Sequence, residues 1–312
     1  MVTGATTPLG EAFVRQLSQH PDVDHVLAVG REPKNHAGVF ETMPGVTYAT
    51  CDLSRGRRVR TLMFGEVTRL EITHVVHLAM HRSAANTGGK AFKLNVEGTR
   101  ELLALCERHP SVRRFVFRSF SDVYEVKPSR PAMISEDHAL NLGRSVPRFV
   151  RDRVAADLMV CTRMGMSPLS ICVLRTAECL AADVGSQLHD YLQSQVCLKP
   201  LGFDPMLNLL SLTDLASALT RATLSDAQGI FNIPGADTLP LSEVIRRWGC
   251  TPVPLPGPVL SPLYRLRAAA TGTDFSYGLN FWRFHFSGVL EGRRARDVLG
   301  YEPRSPLYWP AG

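Results

Sequence analysis

The sequence contains few lysines, no closely spaced cysteine pair and no long apolar run. Only five lysines (34, 90, 93, 127 and 199) occur among the 35 basic residues. The seven cysteines (51, 106, 161, 172, 179, 197 and 250) form no Cys-x-x-Cys pair, which argues against a zinc site or a disulfide framework and predicts a reducing, cytoplasmic location. Nothing approaches ~18 consecutive apolar residues, so no transmembrane helix is expected. The first residues also lack the pattern of a secretory signal.

The composition is that of an ordinary globular chain, with 45% hydrophobic and 21% charged residues. The formal net charge of +6 is carried mainly by arginine. One interpretation is solvated arginine that reflects a codon bias. The other is attraction to an anionic ligand or a membrane surface. No long basic run is present, which argues against nucleic-acid binding.

The first 180 residues alternate short β-branched runs with helical stretches, which predicts an α/β fold with a doubly wound parallel sheet. The predicted strands are Met1–Thr3, His25–Val29, Val46–Thr50, His74–Leu78, Arg114–Arg118 and Ser170–Leu174. Apolar residues at helical spacing predict helices at Gly10–Gln19 and Val96–Arg108. Beyond residue 180 the pattern becomes irregular, and the proline-rich Thr251–Pro262 is predicted to be a loop.

A glycine loop follows the first predicted strand directly. The segment from Thr3 to Gly10 reads Thr-Gly-Ala-Thr-Thr-Pro-Leu-Gly and leads into a helix. Such a loop lets the backbone approach a pyrophosphate, which rests on the free N–H groups of the helix start. The candidate contacts are Gly4, Thr6, Thr7, Leu9 and Gly10. The alternative is a relic loop that binds no cofactor.

The loop and several later motifs resemble the extended short-chain dehydrogenase/reductase family, in its NAD(P)-dependent epimerase/dehydratase branch. These motifs include Asn95-x-x-Gly98-Thr99, Val123-Tyr124 and the C-terminal signposts Leu210–Ala216, Phe231–Gly235 and Leu299–Pro303. The resemblance implies a Rossmann-like dinucleotide-binding domain at 1–180, with returning segments near 205–235. It implies a smaller substrate or cap region at 181–312. In the family pattern Thr-Gly-x-x-Gly-x-x-Gly, Thr7 replaces the middle glycine.

The resemblance also implies further cofactor contacts. NAD-binding relatives carry an acidic residue about where Gly30 stands, whereas Arg31 could pair with the 2′-phosphate of NADP. NADP is therefore slightly favoured over NAD, although a solvent-facing Arg31 is an equal alternative. The remaining candidates implied by the family are Asp52, Leu53, Leu78, Ala79, Asn95 and Arg153.

The residues at the family's catalytic positions cannot perform its usual chemistry. The family places Tyr-x-x-x-Lys where this chain has Phe149 and Arg153, and a Ser or Thr where it has Phe120. A phenyl ring has no ionisable hydroxyl, and a guanidinium is not a proton donor at neutral pH. A bulge could bring Ser119 or Ser121 into place instead. We expect Phe149 and Arg153 to face Phe120, with Asp157 on the same helix face.

Two later segments do not indicate which substrate or partner the protein binds. Glu178–Ala182 departs from the family's Asn-x-x-Gly-Pro substrate loop, and Asn208 lies near a position where relatives place an arginine on a diphosphate. The aromatic segment Phe275–Phe286 is either the packed cap of the small region or a surface for an apolar substrate, a partner or a bilayer.

Three hypotheses follow. The first is a degenerate family member that binds NAD(P) and acts as a sensor, scaffold or partner-binding module. Its partner would be another protein or a second copy of this chain in a homodimer. The second is an oxidoreductase or epimerase with non-standard catalytic groups acting on a sugar nucleotide or apolar carbonyl substrate. The third is a peripheral membrane protein that uses the basic and aromatic surface.

Overall fold

The computed structural model describes residues 1–34, 37–84, 88–143 and 145–310. Its strands, in chain order, are β1 Val2–Thr3, β2 Val26–Gly30, β3 Val46–Thr50, β4 His74–His77, β5 Arg114–Phe120, β6 Met133–Ile134, β7 Ser170–Thr176, β8 Glu178–Cys179, β9 Val196–Pro200, β10 Met206–Leu210, β11 Gly229–Ile233, β12 Asp237–Pro240, β13 Thr251–Leu255 and β14 Val289–Leu290.

The α-helices, in the same order, are α1 Pro8–Ser18, α2 Gly56–Leu62, α3 Gly89–Phe92, α4 Thr99–Arg108, α5 Arg148–Cys161, α6 Gln187–Leu192, α7 Leu212–Leu224, α8 Leu241–Arg247, α9 Gly257–Thr271, α10 Tyr277–His285 and α11 Arg293–Leu299. A π-helical segment, Lys93–Gly98, joins α3 to α4, and another, Met63–Val67, continues α2. Within the described part of the chain, no helix is long and apolar enough to cross a membrane.

Seven parallel strands form the main sheet, in the order β11-β7-β5-β4-β1-β2-β3. The predicted doubly wound sheet is therefore confirmed. The central strands are largely buried because helices cover both faces. Every residue of β2 and β5 is buried. The order reverses at β1, so the carboxyl ends of β1 and β4 open the crevice where such sheets bind ligands.

The helix after the glycine loop shows how the sequence directs the packing. Thr7 is its N-cap and Pro8 its first residue, the positions that these residue types prefer. Phe13, Val14 and Leu17 recur on one face, where they are buried in a cluster that also contains side chains of α7. The other face of the sheet is covered by α2, α4 and α5, whose side chains form a second core.

The C-terminal half supplies a smaller region with its own core. Tyr191, Tyr264, Phe275, Tyr277 and Phe284 are buried together there. The segment near 205–235 divides between the two regions. Strand β11 joins the main sheet beside β7, whereas β10 pairs with β8 and β12 in a separate sheet. The predicted limits of the two domains stay a prediction.

The predicted loop at Thr251–Pro262 is wrong. Its first half is β13, which pairs in parallel with β9, and its second half is the start of α9. Three of the five prolines mislead because they occupy positions that tolerate proline, whereas Pro262 lies inside the helix. Pro252 and Pro254 lie in a two-stranded sheet, where a missing N–H donor leaves no inner ladder broken, and Pro258 lies in the first turn of the helix.

Candidate functional site

The glycine loop joins β1 to α1 at the carboxyl edge of the main sheet. Gly4 has a φ of +70°, and a Cβ built on it would lie 3.0 Å from the backbone nitrogen of Ala79. A Cβ on Gly10 would lie 2.2 Å from the carbonyl oxygen of Gly4. Both positions need glycine, because a side chain would force the loop away from β4 or from α1. The loop therefore keeps the close packing of a phosphate-binding turn.

Thr7 turns its hydroxyl back into this loop. Its Oγ1 accepts a hydrogen bond from the Gly10 N–H at 3.0 Å and donates one to the Gly4 carbonyl oxygen at 2.9 Å. The cap uses one of the N–H groups of the helix start, and Pro8 has none. These contacts leave the N–H of Leu9 as the first-turn donor available to a phosphate. Thr7 thus occupies the Gly10 N–H, which is then not available to a phosphate.

Sequence reasoning missed an acidic residue at the end of β2. A Cβ on Gly30 would lie 2.5 Å from the Tyr48 hydroxyl, so a side chain there would have to displace Tyr48 and Thr6. Two residues later, the Glu32 carboxylate accepts hydrogen bonds from the Thr6 hydroxyl and from the Arg31 N–H. Burial opposes ionisation, but these bonds hold the pKa of Glu32 below its ordinary value. The side chain of Arg31 is exposed. Reading two residues beyond the strand would have found Glu32.

The other candidate cofactor contacts surround the same crevice. Leu78 and Ala79 follow β4, and their N–H groups both donate to the Thr3 hydroxyl. Leu53 is buried, and its carbonyl oxygen would lie 2.8 Å from a Cβ on Gly98. These contacts fix the backbone of the segments on which the candidate residues lie.

Asp52 and Asn95 already have partners in the structure. The Asp52 Oδ1 accepts hydrogen bonds from the N–H and hydroxyl of Ser54 at 3.0 and 2.7 Å. Asn95 is buried and its Oδ1 accepts the His81 N–H at 2.7 Å. Asn95 thus anchors the segment that follows β4.

The structure brings Phe120, Phe149 and Arg153 together. Phe120 ends β5, while Phe149 and Arg153 lie one turn apart on α5. The guanidinium carbon of Arg153 lies 3.7 Å from the centre of the Phe120 ring and 4.0 Å from that of Phe149. All three side chains are buried. The rings hold the guanidinium through cation–π contacts, and none of these groups accepts or donates a proton at neutral pH.

Arg153 forms its ion pair with an aspartate that sequence reasoning did not select. Its Nη1 donates to Asp122 Oδ2, and its Nη2 donates to the Gly185 carbonyl oxygen at 3.2 Å. The Nε of Arg153 and the Oδ1 of Asp122 have no hydrogen-bond partner and are buried. The cleft therefore contains polar atoms that a ligand could satisfy.

Ser119 does not replace Phe120, whereas Ser121 lines the cavity beside it. The β5–β7 register is regular through Ser119 and Phe120, so no bulge is present. Ser119 points to the opposite face, as strand alternation requires, and donates to Asp157 at 2.5 Å. Asp157 also accepts two bonds from Arg175, at 2.6 and 3.0 Å, in a fully buried pair. Asp157 hence belongs to a structural network away from the cleft. The hydroxyl of Ser121 lies 3.4 Å from Arg283 Nη2.

The same alternation turns Arg118 into the cleft beside Phe120. Its guanidinium carbon lies 4.5 Å from the centre of the Phe120 ring, and the side chain is 5% exposed. Burial, reinforced by the nearby charge of Arg153, lowers the pKa of Arg118 to about 10. Arg118 therefore stays charged at neutral pH. Counting two residues back from Phe120 would have found it.

The segment that departs from the family's substrate loop contributes an anionic group. Glu178 pairs with Arg283 of α10 at 3.0 Å and accepts the Ser186 hydroxyl at 2.7 Å. Burial opposes ionisation, but Arg283 and Ser186 hold the pKa of Glu178 below its ordinary value. Asn208 lines the same cavity, and its side chain bonds to Gly235 and Thr238.

Contacts between the segment after β4 and the segment after β8 narrow the cleft above the glycine loop. Arg82 donates to the Asp183 carbonyl oxygen at 2.6 Å and pairs with the Asp183 carboxylate at 3.2 Å. The small cavity beneath is lined by residues of the glycine loop, of the segment after β4 and of the Arg118–Arg153 cluster. In the described residues that line this cavity and the two beside it, there is neither a tyrosine nor a lysine.

The fold and the glycine loop define an α/β protein of the dinucleotide-binding type. The profile of the NAD dependent epimerase/dehydratase family matches residues 1–193. The chain therefore belongs to that family. Uncharacterized proteins of Mycobacterium tuberculosis and Mycobacterium bovis are 32% identical to it over 307 residues, which is 97% of this chain and 80% of theirs.

Two solved structures of the same fold are enzymes by name. A dTDP-glucose 4,6-dehydratase of Bacillus anthracis in complex with NAD has a TM-score of 0.70 at 15% identity, and covers 97% of this chain and 91% of its own. A UDP-glucose 4-epimerase of Thermus thermophilus in complex with NAD has a TM-score of 0.70 at 17% identity, with 98% and 94% covered. At these identities the likeness establishes the fold.

Proposed function

We propose that this protein binds a nicotinamide dinucleotide without performing the acid–base chemistry of its family, and acts as a sensor, scaffold or partner-binding module. The observation that carries the proposal is the contact of Arg153 with the rings of Phe120 and Phe149. General acid–base catalysis contributes roughly 10²–10⁴-fold to a rate. Loss of one member already removes most of a catalytic unit's effect.

The residues around the glycine loop fit the nucleotide end of such a ligand. Gly4 and Gly10 leave no Cβ in the turn, and Glu32 lies beside Thr6 near the position expected for the ribose. A bound dinucleotide would supply a redox-active ring. Arg118 and Arg153 line the far end of the same cavity, beyond Thr7 and Leu9.

The choice between the two dinucleotides depends on Arg31 and Glu32. An exposed arginine would favour the 2′-phosphate of NADP, whereas a carboxylate accepts the ribose hydroxyls of NAD and repels a phosphate. Glu32 is held in place by two hydrogen bonds, but Arg31 is exposed and its side chain is not so fixed. We therefore favour NAD, against the expectation drawn from Gly30 and Arg31.

The alternative is an active oxidoreductase or epimerase with non-standard groups. Asp122 and Glu178 are carboxylates beside Arg153 in the cleft, and the Oδ1 of Asp122 has no hydrogen-bond partner. A protein titrated with NAD and NADP, then assayed for absorbance change with nucleotide sugars and carbonyl compounds, separates the two. Binding without turnover supports the proposal. Turnover at ordinary rates of about 1 per second or more supports the alternative.

A second candidate role is contact with an anionic membrane surface. The exposed residues Val259, Leu263 and Leu266 recur on one face of α9, while Leu260 and Tyr264 are buried on the other. The helix contains arginines 265 and 267 and no acidic residue, so its charge is complementary to anionic lipid.

Vesicle flotation tests this role. Vesicles with phosphatidylglycerol should carry the protein upward, whereas phosphatidylcholine vesicles should not. Leu266→Asp should abolish flotation. The control Met166→Asp, which places the same charge at an exposed apolar residue elsewhere, should leave it unchanged. A protein that ignores both vesicles, or two variants that behave alike, would exclude the role.

A further inference from the structure

Arg118 is a buried cation without a carboxylate partner. No described acidic side chain lies within ion-pair distance of it. Its two Nη atoms contact the Val184 carbonyl oxygen at 3.4 Å, which is long for a hydrogen bond, and its Nε has no partner. Leaving a charge in this state costs several kcal/mol. Shape alone does not explain the residue, since a methionine would fill similar space without that cost.

The arginines that line the cleft outnumber their carboxylate partners by one. Among the described residues that line it, Arg82 pairs with Asp183, Arg153 with Asp122, and Arg283 with Glu178. Arg118 is the fourth arginine and has no such partner. The unsatisfied Nε of Arg153 lies in the same cluster, because both guanidinium groups contact the Phe120 ring.

The space beside these two guanidinium groups leads to the glycine loop. One small cavity is lined by Arg118, Arg153 and Phe120 together with Thr7 and Leu9. A second extends from the same three side chains toward Glu178 and Ser186. A ligand that enters above the loop therefore meets both guanidinium groups.

We propose that this cleft binds an oxyanion, a phosphoryl or carboxylate group of a small molecule, between Arg118 and Arg153. Guanidinium groups match such oxygens in geometry and charge. The anion would pair with Arg118 and accept hydrogen bonds from the two unsatisfied Nε atoms. The aromatic ring of Phe120 keeps both cations in place in the ligand-free protein. This inference holds whether or not the cleft also binds a dinucleotide.

The test measures thermal unfolding and calorimetric binding of the full chain in a chloride buffer. The probes are inorganic phosphate, pyrophosphate, glucose 1-phosphate and acetate, with NAD as a separate titration. The variants are Arg118→Met, which keeps the size and removes the charge, and Arg118→Lys, which keeps the charge. Arg246→Met is the matched control, because Arg246 is exposed and pairs with Glu243 on the surface of α8.

We expect at least one phosphate-containing probe to bind and to raise the melting temperature of the wild type. Arg118→Met should lose affinity roughly 10-fold or more. Without a probe it should melt no lower than the wild type, because the unpaired buried charge is gone. Arg118→Lys should keep part of the rise in melting temperature that the probe causes, and Arg246→Met should keep all of it. The strongest probe identifies whether the anion is a free phosphate, a sugar phosphate or a carboxylate.

The inference is overturned if no probe binds the wild type, or if Arg118→Met binds as tightly as the wild type. If Arg118→Met fails to fold, the wild-type titrations and Arg118→Lys still decide. The NAD titration keeps the two proposals apart. A protein that binds phosphate through Arg118 but not NAD refutes dinucleotide binding and leaves the oxyanion site standing.

Discussion

The guanidinium carbon of Arg153 lies 3.7 Å from the centre of the Phe120 ring, closer than it lies to the ring of Phe149 on its own helix. A strand end and a helix are thereby joined by a cation held on aromatic rings. At the positions where the family resemblance places a proton-transfer unit, this chain has a packed, positively charged cluster. Its charge suits the binding of anions rather than the movement of protons.

Restoring the family residues should not restore activity. We expect the triple variant Phe120→Ser, Phe149→Tyr and Arg153→Lys to fold but to lose roughly 2–4 kcal/mol of stability, since the Phe120 ring that packs on residue 153 is removed. We expect turnover below about 1 per second, because Glu178 to Ala182 still departs from the substrate loop and positioning supplies much of the rate. Chemical denaturation and NAD(P)H absorbance measure the two outcomes. Robust turnover would mean that the substrate site is intact.

Glu32 and Arg31 should have opposite effects on cofactor choice. We expect Glu32→Ala to weaken NAD binding by roughly 1.5–3 kcal/mol, the range of a charge-assisted hydrogen bond. The same change should weaken NADP less, because it removes a repelling carboxylate. Arg31→Ala should affect NADP alone, if it affects either. Calorimetric titration of both cofactors against both variants gives the comparison, and loss of NADP binding alone in Arg31→Ala, with Glu32→Ala silent, would reverse our preference for NAD.

Thr7 should limit the affinity of the glycine loop for phosphates by occupying the Gly10 N–H. Thr7→Gly should bind NAD severalfold more tightly, with a loss of only a few tenths of a kcal/mol in stability from the weaker N-cap. Thr7→Ala separates two causes, because it frees the N–H but keeps the Cβ. If Thr7→Ala gains as much as Thr7→Gly, the cap is responsible. If only glycine helps, the Cβ crowds the ligand.

His77 should make stability depend on pH. It is fully buried between the hydroxyls of Thr3 and Thr99, and burial lowers its pKa to about 4. The unfolded chain then binds more protons than the folded one between pH 6.5 and about 4, so stability falls as the pH drops through that window. The loss reaches about 3 kcal/mol for this depth of shift. Glutamine does not titrate, so the His77→Gln variant should lose less stability than the wild type between pH 7 and pH 4.5. Urea denaturation at the two pH values measures this difference.

The local sequence determined the architecture of the first region. Short runs rich in β-branched and apolar residues, bounded by turn residues, located β1 to β5 and β7, because the strands of a parallel sheet are buried on both faces. The glycine loop was recognisable since only glycine tolerates the backbone of Gly4 and the contact at Gly10. Phe149 and Arg153 were correctly placed on one helix face, because four residues make about one helical turn.

Tertiary structure decided which charges meet. Asp122, Arg153 and Glu178 come from the turn after β5, from α5 and from β8, and their proximity depends on strand register and helix packing, which no local pattern records. The same holds for Pro252 and Pro254, which signal a loop by type but lie in a strand because β9 runs beside them. Periodicity follows from backbone geometry within one element. Pairing between elements follows from long-range packing, and for that reason the unpaired cation in the cleft became visible only in the fold.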